Sequence, residues 1–514
     1  MEHAAEGGYS RRKLLRTASL LGLGGVALPL LESCATAPPA AAPGQATAAP
    51  TAAPAAAQPT TAAPAAVPTA PAKPATVAPA AAAGAPVQAA GLKQFPGVTI
   101  NSGFVSGEND ETLLRDRIAD VKDKLGISLT VNDLGSDGLH DKIAQGLRSG
   151  QSPYAVSAIV GFWLAELIGS DSFEPLDKYL TDPSLTPSDF DMGDMIDKHL
   201  DYIAYWNLAE KRNGRPGSLF LMPGPHSDAH MLTYRTDLFE KYGVAGPPKT
   251  WDEYVDVARK LHHPDDGVYG TAFVGKLDPS ISLTDWANRF LSMGGQMFSG
   301  SLKDKTVTPH LDSDQSIAAL ENMVRLTEVS PPGVSSYALT EVTDAMSAGK
   351  IGMMMMWAVV SGKTWAPDLS KVSDKVAAAV PPGNGVTIRG GWGMGIPKDV
   401  KDKEAAWSVI RYYSTKEVDK DRVMRYGIAP VRTSTLQDAD VVKKYPYMPI
   451  LGKLLQDATP YPSIAFPESW EMVMEPAKFW NRAVVKDLTP KDAAVQANEA
   501  VKQILKKGGW NTSA

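Results

Sequence analysis

The chain has 514 residues, of which 44% are apolar, a formal net charge of −6 and a single cysteine. Its length and apolar content are sufficient for one or two substantial hydrophobic cores. Its mildly acidic charge, without a basic stripe, argues against a nucleic-acid partner, and one cysteine excludes an internal disulfide.

The N-terminus has the pattern of an export signal. Ser10–Arg16 reads SRRKLLR, which matches a twin-arginine signal, and the apolar stretch 18–31 is too short for a transmembrane helix. The alternative is a basic arm beside a short core helix. Cys34 resembles the lipidated cysteine of a lipobox, although Glu32 departs from the small or apolar residue usual there. We therefore expect residues 1–33 to be a cleaved signal and Cys34 to carry a lipid, which leaves a mature charge of −7 because 1–33 holds four basic and three acidic residues.

The next segment predicts a tether. Residues 35–91 are almost entirely Ala, Pro and Thr, with Lys73 as the one charge, so they offer no apolar face to bury. Proline recurs too often for a helix to persist, which favours an extended, semi-rigid chain over 34–94. A lipid anchor followed by such a spacer suits a protein at the extracytoplasmic face of the cell membrane, or a periplasmic one if Cys34 is not lipidated.

The globular part, predicted over 95–510, begins with alternating strands and helices. This alternation indicates βαβ units and a mostly parallel sheet, which binds ligands beyond the carboxyl ends of its strands. The loops after the first and third strands, Ser106–Asn109 and Gly161–Trp163, are therefore candidate ligand contacts. The predicted strands are Val98–Ile100, Ile127–Val131 and Tyr154–Val160, and the predicted helices are Glu111–Leu125, Gly138–Leu147 and Phe162–Ile168.

The most informative stretch is His230–Leu261, HMLTYRTDLFEKYGVAGPPKTWDEYVDVARKL. Its pattern predicts a strand at Met231–Arg235, a short helix, a turn stiffened by two prolines and a second helix. Thr250 and Glu253 fit a capping box, and the apolar positions from Trp251 onward fall on one helical face. The stretch before it, Leu219–Asp228, reads as a short strand followed by a Pro- and Gly-rich loop.

This stretch resembles the pattern "tYrkDLFeKyG…PPkTWdEy" of the extracellular solute-binding proteins of ABC importers, in the sugar-binding, maltose-binding-protein-like group (family 1). Three further segments resemble the same family in the same order along Val98–Lys507. They are Trp163–Asp177, Ala345–Trp357 and Gly390–Lys398.

The resemblance implies an α/β, two-lobed periplasmic-binding-protein type II fold with hinge crossings between the lobes. Lobe 1 is then about 95–228 plus 381–428, and lobe 2 about 229–380 plus 429–510. A small-molecule solute, in this group a sugar or oligosaccharide, would bind between the lobes and pass to the permease subunits of an ABC transporter. We expect a monomer that is not an enzyme and needs no cofactor.

Nine residues are candidate ligand contacts. Aromatic faces stack on the CH-rich face of a sugar, and its hydroxyls need fixed polar partners. The resemblance favours ligand roles for Trp357 and Trp392, whereas Trp163 and Trp286 also suit a helix core. The polar candidates are Glu108, Asn109, Asp228, Tyr234 and Arg432.

Metal binding and two other functions were weighed against sugar capture. His226 and His230 have a spacing that suits a metal on a helix, but the neighbouring prolines argue against a helix, so no metal site is predicted. One alternative is a binding protein for a polyamine, a phosphate ester or a peptide. The other is an exported glycoside hydrolase with paired carboxylates, because one sequence does not exclude such a pair.

Overall fold

A computed structural model describes residues 91–277 and 279–512. The predicted signal, Cys34 and nearly all of the tether lie outside the described residues. None of the helices in the described ranges is long and apolar enough to cross a membrane. The strands are β1 Thr99–Val105, β2 Ser128–Leu134, β3 Val156–Val160, β4 Tyr205–Asn207, β5 Arg212–Asn213, β6 Ser218–Leu219, β7 Met222–Arg235, β8 Tyr269–Ala272, β9 Phe298–Ser301, β10 Thr306–Pro309, β11 Ile351–Trp357, β12 Val376–Ala379 and β13 Arg389–Gly395.

The helices cover the sheet and form most of the C-terminal part of the described chain. In chain order they are α1 Asp110–Asp116, α2 Ile118–Leu125, α3 Ser136–Ser149, α4 Asp177–Leu180, α5 Asp197–His199, α6 Thr236–Lys241, α7 Trp251–Lys260, α8 Pro279–Ser292, α9 Asp314–Leu326, α10 Leu339–Ser347, α11 Ala358–Ser361, α12 Lys403–Tyr413, α13 Lys416–Tyr426, α14 Thr433–Leu436, α15 Ala439–Lys444, α16 Met448–Asp457, α17 Ser469–Val484 and α18 Pro490–Lys507.

An eight-stranded sheet organises the described chain. Its order is β2-β1-β3-β13-β7-β11-β8, with β12 also paired to β7. The strands β1, β2 and β3 are parallel, as the βαβ pattern predicts, whereas β13 and β7 run antiparallel to their neighbours. The parallel strands therefore open their three carboxyl-end loops on one edge, next to the two antiparallel strands.

The long strand β7 joins the two halves of this sheet. Its residues from Met222 to Ala229 pair with β13, and from His230 onward they pair with β11 and β12. The Pro- and Gly-rich loop predicted at 224–228 is wrong, because those residues lie inside β7. The register with β13 shifts between Gly391 and Gly393. A bulge of this kind lets the ladder include prolines that cannot donate a backbone hydrogen bond.

The helix predicted after the proline-stiffened turn is confirmed as α7. The Thr250 side chain accepts a hydrogen bond from the backbone N–H of Glu253 at 3.1 Å, as an N-cap does. The Glu253 carboxylate accepts from the N–H of Lys249 rather than from that of Thr250, so the reciprocal half of the capping box is displaced by one residue. Trp251 and Tyr254 are buried on the predicted face, and this segment is therefore structural.

Candidate ligand-binding cleft

The loops at the carboxyl ends of β1, β2 and β3 face the start of α10 and the β11–α11 junction across a cavity of about 290 Å³. The crossing strands β7 and β13 contribute the residues between these two sides. The sequence predicted the loops after β1 and β3 as ligand contacts, and both contribute to the lining. Polar or aromatic side chains in the lining belong to Ser106, Glu108, Ser136, Phe162, Tyr202, His226, Asp228, Thr340, Trp357, Arg389 and Trp392.

Two tryptophans line the cavity, one from each half of the sheet. Trp357 ends β11, and its six-membered ring lies so close to Gly390 that a Cβ there would come within 2.6 Å of a ring carbon. The Trp357 and His230 rings pack nearly perpendicular to each other, with centroids 4.1 Å apart. Trp392 lies in β13. Each indole is thus fixed by its neighbours and keeps part of its surface on the cavity.

Two carboxyl groups in the lining ionise with difficulty. Burial raises the pKa of Glu108 to about 7 and that of Asp228 to about 7, since a charge loses its hydration there. Asp228 accepts hydrogen bonds from the N–H of Ala229 at 2.8 Å and of Val359 at 3.3 Å. It therefore ties β7 to the first turn of α11 on the opposite side of the cavity.

The His226 ring lies between Asp110 and Glu108. Its Nδ1 is 2.5 Å from Asp110 Oδ2, and its Nε2 is 3.6 Å from Glu108 Oε2. Burial acts to lower the pKa of His226, but the charge and hydrogen bond of Asp110 and the charge of Glu108 outweigh it and raise the pKa to about 9. The raised pKa favours the imidazolium form of His226 at neutral pH.

Glu108, Asp110 and His226, hereafter the acid–histidine cluster, could hold a metal ion by composition. One ligand atom from each lies within 4.8 Å of the other two. A metal binds neutral imidazole, however, and the raised pKa of His226 keeps the ring protonated near pH 7. His226 Nδ1 already lies 2.5 Å from Asp110 Oδ2, so the geometry favours a charge pair over a metal centre.

Arg389, Tyr202 and His226 are among the lining residues that were not predicted from the sequence as ligand contacts. Arg389 begins β13, is 2% exposed and donates through Nη2 to two backbone carbonyls, and burial lowers its pKa to about 10. Tyr202 approaches Gly161 so closely that any larger residue at 161 would meet its hydroxyl. His226 was considered only as a metal ligand with His230. A basic residue directly before the Gly-Gly-Trp segment was the available signal for Arg389, and no sequence signal marked Tyr202.

The structure brings together Glu108, Asp228, Trp357 and Trp392 and places the other five candidates elsewhere. Asn109 has a left-handed backbone (φ 67°) before α1, and Tyr234 packs on a phenylalanine, with ring centroids 4.6 Å apart. Trp163 is fully buried against Trp392, Trp470 and His140. Trp286 is fully buried between Phe290 and Trp480.

Arg432 also has a structural environment. It is fully buried, and its guanidinium donates to the carbonyls of Phe190, Asp191 and Ser414 and pairs with Asp194 at 3.3 Å. All of these partners lie outside the cavity lining. The guanidinium therefore joins the segment before α5 to the end of α12.

The fold and the cleft are those of a binding protein. The family model for bacterial extracellular solute-binding proteins matches residues 114–420, more than half of the chain, and the chain belongs to that family. Membership confirms the family that the sequence resembles and places the chain among exported proteins whose members bind solutes. The family is described as one of solute-binding proteins, which is consistent with the expectation that this protein is not an enzyme.

Three relatives illustrate the likeness. A probable amino-acid ABC transporter periplasmic-binding protein of Sinorhizobium fredii is 27% identical over 395 residues, 76% of this chain and 86% of the relative. The mannitol-binding protein of Pseudomonas aeruginosa is 26% identical over 294 residues, 54% of this chain and 62% of the relative. The crystal structure of a solute-binding protein from Agrobacterium radiobacter K84 in complex with ribitol has a TM-score of 0.71 at 24% identity, over 80% of this chain and 100% of that one. The likeness confirms the two-lobed α/β fold class.

Proposed function

We propose that this protein captures a sugar or polyol in the cleft and delivers it to the permease of an ABC importer. The observation that carries the proposal is the cavity itself, which is lined by Trp357 and Trp392 from different halves of the sheet and by the acids Glu108 and Asp228. Indole faces suit the CH surface of a sugar, and carboxyl groups accept hydrogen bonds from its hydroxyls. Relatives named for mannitol and bound to ribitol support this class of solute.

The size of the cavity favours a small solute. Its volume of about 290 Å³ is at the low end for ligand pockets, which span roughly 300–1,000 Å³. We therefore propose a monosaccharide or a linear polyol rather than a long oligosaccharide.

Calorimetric titration with D-mannitol, ribitol, D-glucose and maltose tests the proposal. We expect at least one of the first three to bind, and Trp357→Ala and Trp392→Ala each to weaken it by about tenfold, the effect of losing roughly 1.4 kcal/mol of ring contact. Trp510→Phe is the control, because Trp510 packs on Phe466 outside the cavity lining. Failure of all four solutes to bind would remove the sugar assignment and leave the family membership intact.

A solute with a primary amine is a second candidate. Three carboxyl groups, those of Glu108, Asp110 and Asp228, act electrostatically on the single cation His226. When they are ionised, their negative charge exceeds the charge of His226 and favours a second cation in the cleft. The Sinorhizobium fredii relative is named as a probable amino-acid binder. Putrescine and the common amino acids added to the same titrations would decide between the classes. Binding of an amine that is abolished by Asp228→Asn, with no response to sugars, would favour this candidate.

Export, anchoring and lobe limits complete the proposal. We infer that residues 1–33 direct export through the twin-arginine route and that Cys34 anchors a monomer to the membrane through the 34–94 tether. Changing Arg11 and Arg12 to Lys should retain the protein in the cytoplasm, and Cys34→Ala should release it from the membrane fraction. The proposed lobe limits, 95–228 plus 381–428 and 229–380 plus 429–510, are supported by the change of strand partners between Ala229 and His230. Limited proteolysis with and without solute would test them.

A further inference from the structure

A chain of polar contacts runs from the buried interior to the cavity. The Tyr413 hydroxyl donates to the backbone carbonyl of Asp110 at 2.7 Å and to Asp110 Oδ1 at 3.1 Å. Asp110 Oδ2 is 2.5 Å from His226 Nδ1, and His226 Nε2 is 3.6 Å from Glu108 Oε2. The exposed side-chain fraction is 2% for Asp110 and for His226 and 16% for Glu108, so the chain opens to the cavity at Glu108.

These contacts connect three secondary-structure elements that are distant in sequence. Glu108 and Asp110 flank the start of α1, His226 lies in the crossing strand β7, and Tyr413 ends α12. Arg422 on α13 adds a second cation, 3.9 Å from Asp110 Oδ1.

The charge of Glu108 depends on this chain. A carboxylate that is largely buried reverts to the neutral acid unless a cation is held beside it. The imidazolium of His226 supplies that cation. Asp110 keeps the His226 ring protonated, because its carboxylate accepts a hydrogen bond from Nδ1. The other ionisable groups that act on Glu108 or His226 are Glu111 on α1, Asp228 on β7 and His199 before β4.

We propose that Asp110, His226 and Tyr413 are positioning residues that favour the ionised form of Glu108 at the cavity, where its carboxylate accepts a hydrogen bond from a hydroxyl of the solute. The inference rests on the proposed function and deepens it, because it makes solute capture depend on the charge of one buried carboxyl group. A carboxylate makes a stronger hydrogen bond to a hydroxyl than a neutral acid would. Glu108 is the residue that touches the solute, and the other three act through it.

The first test needs no solute. Histidine resonances of the whole protein are followed by NMR from pH 5 to 10, and the His226 signal is assigned from its loss in His226→Gln. We expect wild-type His226 to titrate near pH 9, Asp110→Asn to lower its midpoint by more than one pH unit, and Tyr413→Phe to lower it by less. A wild-type His226 midpoint near that of free histidine, about 6.5, would contradict the proposed role of Asp110. A midpoint that Asp110→Asn does not change would contradict it as well.

The second test uses D-mannitol as the probe. Its affinity should increase as pH rises through about 7, where Glu108 ionises, and decrease again above about 9 as His226 loses its proton. In His226→Gln, which removes the imidazolium beside Glu108, the rise should move to higher pH. For a shift of one pKa unit the affinity at pH 7.5 should fall by about threefold, because the ionised fraction of Glu108 falls from about three quarters to about one quarter. Exposed Asp123→Asn on α2 should match the wild type.

The two tests separate two failures. If no sugar or polyol binds the wild type, the proposed function and the role of Glu108 in it fail, and the NMR titration alone decides whether Asp110 holds the proton on His226. If D-mannitol binds with a pH profile that His226→Gln does not shift, the charge of Glu108 does not depend on His226 and the inference is overturned.

Discussion

Glu108→Gln should stabilise this protein, because the carboxyl group is held where its charge is costly. Burial raises the pKa of Glu108 from 4.5 to about 7, and the shift corresponds to about 3 kcal/mol at 1.36 kcal/mol per unit. The folded-state pKa lies above the unfolded one. The stability that this group contributes is therefore complete below pH 4.5 and is lost as pH rises through about 7. An amide of nearly the same shape has no charge to desolvate.

We expect Glu108→Gln to match the wild type at pH 4.5 and to exceed its unfolding free energy by about 2–3 kcal/mol at pH 8. For the roughly 420 described residues this is an increase of about 3 °C in Tm. Scanning calorimetry at pH 4.5, 6, 7 and 8 measures the effect. Exposed Glu321→Gln on α9 is the matched control and should show no trend with pH. A Glu108→Gln variant that is destabilised, or whose gain is equal at every pH, would refute the reasoning.

The same substitution should weaken D-mannitol binding if the proposed function is correct. Gain of stability with loss of affinity at one residue is the behaviour expected of a binding group retained at a cost to folding. Titration of D-mannitol at pH 8 measures the loss, and an unchanged affinity would separate Glu108 from the solute while leaving the stability argument in place.

Further changes have distinct expected outcomes. Gly390→Ala places a Cβ 2.6 Å from the Trp357 ring. Titration calorimetry should then show D-mannitol affinity reduced by about tenfold, and urea denaturation should show an unfolding free energy lower by about 1–3 kcal/mol. Gly246→Ala, where a Cβ meets nothing within 4 Å, should change neither quantity. Arg432→Met removes a buried guanidinium with several carbonyl partners and should lower the unfolding free energy in urea by about 3–5 kcal/mol, with the affinity of the folded fraction unchanged. Thr250→Ala removes the N-cap of α7, and chemical denaturation should show a loss of about 1 kcal/mol. Zinc added at pH 7 should leave the Tm unchanged, because the histidine of the acid–histidine cluster is protonated; a Tm increase reversed by a chelator would contradict this.

Local patterns were sufficient where an element is decided by its own residues. The α7 helix follows from a threonine cap, a glutamate three residues on and one apolar face, and each of these features depends only on sequence spacing. The βαβ alternation likewise predicted the parallel strands and the loops at their carboxyl ends. Trp357 and Trp392 became candidates because each lies in a segment that resembles the solute-binding family, and these segments occur in the family's order along the chain.

Patterns misled where a partner distant in sequence decided the outcome. The segment 224–228 reads as a loop, yet pairing with β13 across a bulge keeps it in a strand. Arg432 and Trp286 carry the chemistry of ligand contacts, but their neighbours in space are carbonyls and other core rings. A side chain's chemistry is local, whereas the direction in which it points depends on how elements far apart in the chain pack.

The sequence by itself determined the family and the α/β class, and it predicted nine candidate contacts of which four line the cavity. Only the tertiary structure decided the protonation states of the ionisable groups at the cleft. His226 becomes an imidazolium because α1 brings Asp110 within 2.5 Å of it, and burial raises the pKa of Glu108 because three loops and two crossing strands close around it. Desolvation and charge pairing depend on distances in space, and no spacing along one chain encodes them.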